Sequence, residues 1–394
     1  MNRVPLRVAM IGHGFMGAAH SQGWRVAPRF FDLPLAPHMS VIVGRDPERT
    51  ELAREKFGWD AAATDWREVI KRDDIDVIDI CTPGDSHAEI AIAALDAGKH
   101  VFCEKPLAIT VDEAEQMAAA AAKAAITGVQ AMVGFSYRRV PAIPFARQLI
   151  AEGRLGEIRQ VRAQYLQDWL IDANGPMTWR LDKDLAGSGS LGDIGAHAID
   201  MVQYLTNSTV DTVSGTMHTF VTERPLLGEA RGLSGTASDE RGTVTVDDAA
   251  WFTARLSNGA YASFEATRFA TGRKNALRVE ISGSTGAIAF DMESMNELQF
   301  YDATQPAGEQ GFKRIMVTEP VHPYVDAWWP PGHSLGYEHA FSHQVRDFVL
   351  DIHNGTVPAP SFADGLQVQR VLDAVEQSAR AGSAWTATQP LGEL

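Results

Sequence analysis

Two textures of apolar patterning divide the chain. Up to about residue 135, short continuous apolar runs alternate with helix-period segments. Such runs suit strands buried on both faces of a parallel sheet. They predict strands at 6–11, 39–43, 75–80, 100–104 and 129–135, and helices at 47–57, 87–97 and 111–125. Residues 28–37, rich in Pro and Phe, read as a loop. From about 136 the runs lengthen and alternate apolar with polar, at 158–165, 249–256, 261–267, 276–282 and 287–291. Turn signals at 257–259 (SNG) and 284–286 (STG) join pairs of them. That alternation predicts a mostly antiparallel sheet with one face packed and the other open. Helices at 337–353 and 363–380 close the chain.

The first strand runs directly into Gly12-His13-Gly14-Phe15-Met16-Gly17 and then a helix. Glycine at 12 permits a tight turn, Gly14 admits a pyrophosphate to the backbone, and Gly17 lets helix and strand pack closely. Gly12, Gly14, Phe15, Met16 and Gly17 are therefore read as dinucleotide contacts. The fold expected is α/β, with an N-terminal doubly wound Rossmann sheet (1–135). A C-terminal α/β domain (136–394) with a large open, mostly antiparallel sheet follows, its last helices free to pack back on the first domain. The second strand ends in Gly44-Arg45-Asp46, where a carboxylate normally holds the adenosine ribose of NAD. Either Arg45 meets a 2′-phosphate, which points to NADP, or it caps a turn while Asp46 takes the ribose. Thr82, Pro83, His87, Glu104 and Lys105, at the carboxyl ends of later strands, join the cofactor contacts.

Composition removes several classes. A net charge of −15 over 394 residues disfavours nucleic acid or anionic membrane as partner. No apolar run approaches ~20 residues and no signal-peptide core is present, so a soluble cytoplasmic protein is expected. Cys81 and Cys103 lack metal-ligand spacing and suit a reducing compartment.

Chemistry gathers at two further places. Lys105 follows a strand and precedes a proline, placing an ammonium where open α/β sheets bind ligands. The run GSGSLGDIGAHAID (187–200) leads into an apolar helix and sets Asp193 and His197 one turn apart. Imidazole has the proton affinity of a base near neutrality, and Asp193 is placed to orient it. Residues 165–169 (YLQDW) and Arg180 offer polar groups beside an aromatic face, either a carbohydrate site or an exposed strand end. Trp328-Trp329-Pro330-Pro331-Gly332-His333 is either a substrate lid or a packed loop. His339 and His343 are four apart on a helix, but no carboxylate pattern completes a metal site, and no metal is expected.

GHGFMG, EKP (104–106) and GSGSLGDIGAHAID together resemble the glucose–fructose oxidoreductase / inositol dehydrogenase / MocA family over essentially the whole chain. The resemblance implies Lys105, Asp193 and His197 as the catalytic set, and a sheet that also makes a homo-oligomer, dimer or tetramer. SYRR (136–139), YLQDW and PPGHSLGYEHAF (330–341) resemble the members acting on sugars, anhydrosugars and inositols. By that similarity Tyr137, Gln167, Trp169, Arg180 and His333 are substrate contacts, and the cofactor is NAD rather than NADP. The function expected is hydride transfer between a ring secondary hydroxyl and NAD(P). Two alternatives are a redox-neutral glycosidase of the same family and a non-catalytic dinucleotide-binding protein.

Overall fold

The computed structural model describes residues 3–231 and 234–388. The chain folds into two compact units. The first begins β1 (Val4–Ile11), α1 (Phe15–Phe30), β2 (Leu35–Val43), α2 (Pro47–Phe57), β3 (Ala61–Ala63) and α3 (Trp66–Ile70). It continues β4 (Val77–Ile80), α4 (His87–Asp96), β5 (His100–Cys103), α5 (Val111–Ala125) and β6 (Ala131–Val133). The strands form one parallel sheet in the order β3-β2-β1-β4-β5-β6, the doubly wound arrangement.

Local chemistry sets the helix ends. Asp46 caps α2, with Pro47 at the first position and Gly58 in the left-handed region at the end. Thr110 and Glu113 form a reciprocal capping box on α5. The loop expected at 28–37 shrinks to four residues, because α1 runs on to Phe30 and β2 starts at Leu35. Pro37 is tolerated within β2 because β3 pairs only with Val41–Val43, so that side of β2 needs no donor at Pro37.

The second unit begins near Tyr137. It holds α6 (Ala142–Ala151), β7 (Ile158–Leu166), α7 (Lys183–Ala186), α8 (Ala196–Thr206), β8 (Val210–His218), β9 (Glu223–Arg231) and β10 (Ser234–Thr243). Then come β11 (Ala249–Leu256), β12 (Tyr261–Thr267), β13 (Ala276–Gly283), β14 (Gly286–Asp291), β15 (Glu297–Asp302) and β16 (Lys313–Met316). α9 (Tyr337–Asn354) returns to the first unit and packs on α1, where a Cβ on Gly23 would lie 3.1 Å from the Phe341 backbone. α10 (Phe362–Arg380) and the short β17 (Thr386–Ala387) follow.

The large sheet has nine strands, β16-β15-β14-β13-β7-β12-β11-β8-β17. Every neighbouring pair is antiparallel except β7 and β12. Alternation along β11 and β12 is regular: Phe252, Ala254, Ala262, Phe264 and Ala266 are buried, Trp251, Thr253, Tyr261 and Ser263 exposed. α8 covers the buried face, and the turn just before it comes close enough at Gly195 that a Cβ would lie 3.3 Å from Ala266.

Candidate active site

In the first unit the glycine turn has the geometry its spacing predicts. Gly12 has φ +101°, and a Cβ there would lie 2.7 Å from the Cys81 carbonyl oxygen. Gly14 caps α1 without a side-chain hydrogen bond, and nothing lies within 4 Å of where its Cβ would be. No acidic residue stands in the first turn of α1. This is an open cradle of backbone N–H groups at a positive helix end, and it fits a pyrophosphate. Phe15, half exposed, stacks on Tyr337 at 6.3 Å, and Met16 is partly covered.

The tip of β2 differs from an acidic ribose site. A Cβ on Gly44 would sit 2.5 Å from Thr50 Oγ1 and run into the His13 ring, which lies 3.2 Å from that hydroxyl. His13 therefore occupies the space beside position 44. Arg45 is exposed, while Asp46 accepts the Arg49 N–H at 3.0 Å as a helix cap.

Further along, Thr82 Oγ1 accepts from Ser86, and Pro83 leads into a short 3-10 turn. His87 is buried between loops: Nε2 lies 2.9 Å from the Thr82 oxygen and Nδ1 3.0 Å from the Pro106 oxygen. It thus ties the Thr82 turn to the segment after Lys105. Glu104 is also buried, with Oε2 accepting the Lys105 N–H at 3.1 Å and Oε1 2.9 Å from His20 Nε2. His20 Nδ1 reaches Asp79 at 2.9 Å, and Trp24 Nε1 donates to the same carboxylate at 2.6 Å. Sequence reading missed His20, Trp24 and Asp79. The available signal was an aspartate inside the apolar run of β4 and a His–Trp pair four apart on α1.

In the second unit the glycine run becomes a π-helical turn, Leu191–Gly195, which carries Asp193 and leads into α8 with His197. Such turns recur at functional sites. The buried Asp247 carboxylate holds this entry, accepting from Gly189 N (2.7 Å), Ser190 Oγ (2.6 Å) and Leu191 N (2.9 Å). Gly189 is required there, since a Cβ would run into the Asp247 carbonyl. Asp193 pairs with the buried Arg268 at 3.6 Å, whose guanidinium lies 5.5 Å from the Trp169 ring. Burial pushes the Arg180 guanidinium below its usual range, Asp193 opposes this, and Arg268 adds to it.

His197, 7% exposed, stacks on Tyr137 with ring centroids 4.4 Å apart. The Tyr137 and Tyr165 hydroxyls are 2.9 Å apart, and Tyr165 donates to Asn275 at 2.7 Å. Gln167 donates to the same Asn275 oxygen and accepts from Trp169 Nε1, both at 3.0 Å. Tyr137, Gln167 and Trp169 are thus joined in one chain of contacts around His197. Arg180 neighbours Asp193 electrostatically and stacks on Trp179. His333 is exposed and folds back on its own loop, Nδ1 2.9 Å from the Pro330 oxygen. No described contact joins it to the others. Asp247, Arg268 and Asn275 escaped the sequence reading because nothing in their neighbourhood marks them, and only the sheet brings them to α8.

His339 Nδ1 accepts the Gly336 N–H at 3.0 Å, and His343 packs edge-on against Phe31 at 5.8 Å. His20, Asp79 and Cys81 are the one grouping among the described residues with metal-ligand atoms within 4.8 Å of one another. Among the described residues no helix is long and apolar enough to cross a membrane.

Comparison with known proteins agrees with both halves. Residues 6–135 match the oxidoreductase family with an NAD-binding Rossmann fold, and 144–289 match the GFO/IDH/MocA C-terminal domain. The chain belongs to the Gfo/Idh/MocA oxidoreductase family. Within it, the chain is 43% identical to levoglucosan dehydrogenase of Pseudarthrobacter phenanthrenivorans, covering 96% of this chain and 97% of that one. A structure of levoglucosan dehydrogenase with NADH and levoglucosan has 42% identity and a TM-score of 0.92, over 98% of this chain and all of that one. An oxidoreductase domain protein from Kribbella flavida has 60% identity and a TM-score of 0.94 over the same shares. The Gfo/Idh/MocA assignment accounts for the Rossmann sheet, the EKP segment and the large mixed sheet together.

Proposed function

We propose that this chain is an NAD-dependent dehydrogenase that oxidises a ring secondary hydroxyl of a sugar or anhydrosugar of the levoglucosan type. What carries the reading is likeness, over nearly the whole chain, to an enzyme named for that substrate. The built surroundings of His197 support it. The Gly14 cradle fits a dinucleotide pyrophosphate, and bound NAD supplies the hydride acceptor.

The chain's residues divide the remaining work. His197 takes the hydroxyl proton as a general base, its ring plane fixed by Tyr137 and Tyr165. Lys105 stabilises developing negative charge on the oxygen. Asp193, held on its π-turn and faced by Arg268, orients the reacting groups. Gln167, Trp169 and Arg180 contact the sugar, combining hydrogen-bonding groups with an aromatic face. His333 is proposed with them as a loop contact.

The open face of the nine-stranded sheet is proposed as a homo-oligomer surface, dimer or tetramer. It carries a depression of about 630 Å³ lined by Arg162, Trp251, Glu265 and Glu280 among others. Two free cysteines suit a cytoplasmic setting. The test is a panel of sugars, anhydrosugars and inositols, including levoglucosan, followed by nicotinamide reduction with NAD and NADP separately. Light scattering of the same preparation gives the subunit number. No reduction with any sugar would sink the dehydrogenase reading.

A further inference from the structure

The catalytic roles above leave unused a buried ionic cluster in the first unit. His20, Asp79 and Trp24 are each 1% exposed or less, and Glu104 is 4% exposed. Asp79 lies at the centre of the parallel sheet on β4, His20 and Trp24 lie on one face of α1, and Glu104 directly follows β5. Asp79 presents both carboxylate oxygens to His20 Nδ1, at 2.9 and 3.1 Å, while Glu104 Oε1 meets Nε2 at 2.9 Å. Cys81 Sγ is 3.6 Å from Asp79.

Ionised carboxylates only accept hydrogen bonds, and a neutral imidazole has a single N–H. Two carboxylates on opposite nitrogens are both satisfied only by an imidazolium. Each carboxylate accepts a further hydrogen bond, Asp79 from Trp24 Nε1–H and Glu104 from the Lys105 backbone N–H. Burial is the largest influence and opposes a charge on His20, but Asp79 and Cys81 together outweigh it and hold the ring protonated well above its usual range. Gly134 makes room for the arrangement, because a Cβ there would lie 2.5 Å from Glu104 Oε1.

Two buried carboxylates and a charged ring are costly to desolvate, and apolar residues of similar volume are often no less stable. The cluster does, however, end on the main chain of Lys105. It starts on α1, the helix whose N-terminus is the glycine turn. We propose that His20, as an imidazolium between Asp79 and Glu104, is a positioning residue that fixes Lys105 relative to the cofactor cradle. The proposal rests on Lys105 being catalytic.

The experiment is a double-mutant cycle on the full-length enzyme, comparing wild type, Glu104→Gln, Lys105→Ala and the pair. The amide of Glu104→Gln keeps shape but cannot accept both N–H groups. It should lower kcat by about 10- to 100-fold, the scale of a catalytic group misplaced by about an ångström. NAD affinity and sugar KM should hold. In the Lys105→Ala background the same change should add little, because groups acting as a unit are non-additive. Equal losses in both backgrounds, or no loss in Glu104→Gln alone, would overturn the proposal. A fully active Lys105→Ala would overturn it differently, by removing the catalytic lysine itself. Should Glu104→Gln not fold, Glu104→Asp, which withdraws the carboxylate by one methylene, takes its place in the cycle. Nitrogen-15 histidine NMR reads the cluster independently of turnover. His20 should keep both N–H protons at pH 8, and a neutral His20 ring there would also overturn the proposal.

Discussion

His197 lies nearly face to face with Tyr137, ring centroids 4.4 Å apart and planes 28° apart, while Tyr165 meets the same imidazole edge-on at 5.8 Å. The tyrosines are themselves joined through their hydroxyls at 2.9 Å. The imidazole is therefore held in orientation by packing. His197→Asn should lower turnover by at least ~100-fold and erase the pH limb that the base contributes. Tyr137→Phe keeps the stacked ring and should cost little. Tyr137→Leu removes it and should cost up to about tenfold in kcat, the scale of an aromatic pair. Steady-state rates from pH 6 to 10 check all three, and an unchanged limb in His197→Asn would assign the titration to another group.

Asp247 gives the site a second dependence, on a residue remote in sequence. Its carboxylate accepts three hydrogen bonds from Gly189, Ser190 and Leu191. Asp247→Ala leaves those buried donors unpaired and should destabilise the fold by about 3–5 kcal/mol. Asp247→Asn keeps one acceptor and should cost about half as much. Urea denaturation measures the loss, and a shift under about 1 kcal/mol for Asp247→Ala would show the turn to be self-supporting.

How much of this was legible beforehand follows the range of the interactions involved. The glycine turn, α2 and α5 are set by residues a few positions apart, so the glycine motif, helical periodicity and alanine-rich propensity placed them, and the caps seen in the structure fix their ends. The placement of Asp193 and His197 at the entry of a helix was legible for the same reason. β8, β15 and β16 were not read: β15 and β16 are short and lie toward a sheet margin, and β8, though nine residues long, does not alternate regularly. Asn275 and Arg268 reach the His197 neighbourhood only because β7 pairs with both β12 and β13. A single chain read in order contains no such pairing. His20 was hidden differently: its i,i+4 neighbour Trp24 suggests packing, and only Asp79 facing it turns packing into an ionic cluster.

Gly14 separates binding from folding. Its φ is −73°, a value alanine adopts, and the space for a Cβ is empty. Gly14→Ala should leave thermal stability unchanged while weakening NAD, because the methyl enters the cradle. Gly17→Ala, by contrast, meets the Gly12 carbonyl and should lower stability. Thermal melts with and without NAD distinguish the two. Normal NAD affinity in Gly14→Ala would place the pyrophosphate elsewhere.

His100 predicts a pH dependence of stability. Burial pushes its pKa down to about 4, with nearby Asp76 opposing, and its Nδ1 accepts the Gln130 N–H at 2.9 Å. The unfolded chain binds this proton near 6.5 and the folded chain only near 4, so stability present above about 6.5 is lost as pH falls toward 4. His100→Gln should flatten that part of the profile. Urea midpoints at pH 7, 5.5 and 4.5 for both proteins give the comparison, and parallel profiles would refute the assignment.

The cofactor prediction turns on Gly44, Arg45 and His13. The family and the NADH-bound relatives point to NAD. Yet no carboxylate stands at position 44 to hold the ribose or to repel a 2′-phosphate, and Arg45 is exposed and cationic. NADP should therefore be accepted as well, and Arg45→Ala should weaken NADP by about tenfold, or 1.4 kcal/mol, with NAD nearly unchanged. A simple Gly44→Asp change should not sharpen NAD preference cleanly, because its Cβ displaces the His13 ring from Thr50. Combining it with His13→Ala vacates that space and lets the carboxylate reach the ribose. Titrating both dinucleotides into wild type, Arg45→Ala, Gly44→Asp and His13→Ala/Gly44→Asp decides the matter. If Arg45→Ala weakens both cofactors alike, Arg45 does not read the 2′ position, and preference is set elsewhere along the tip of β2.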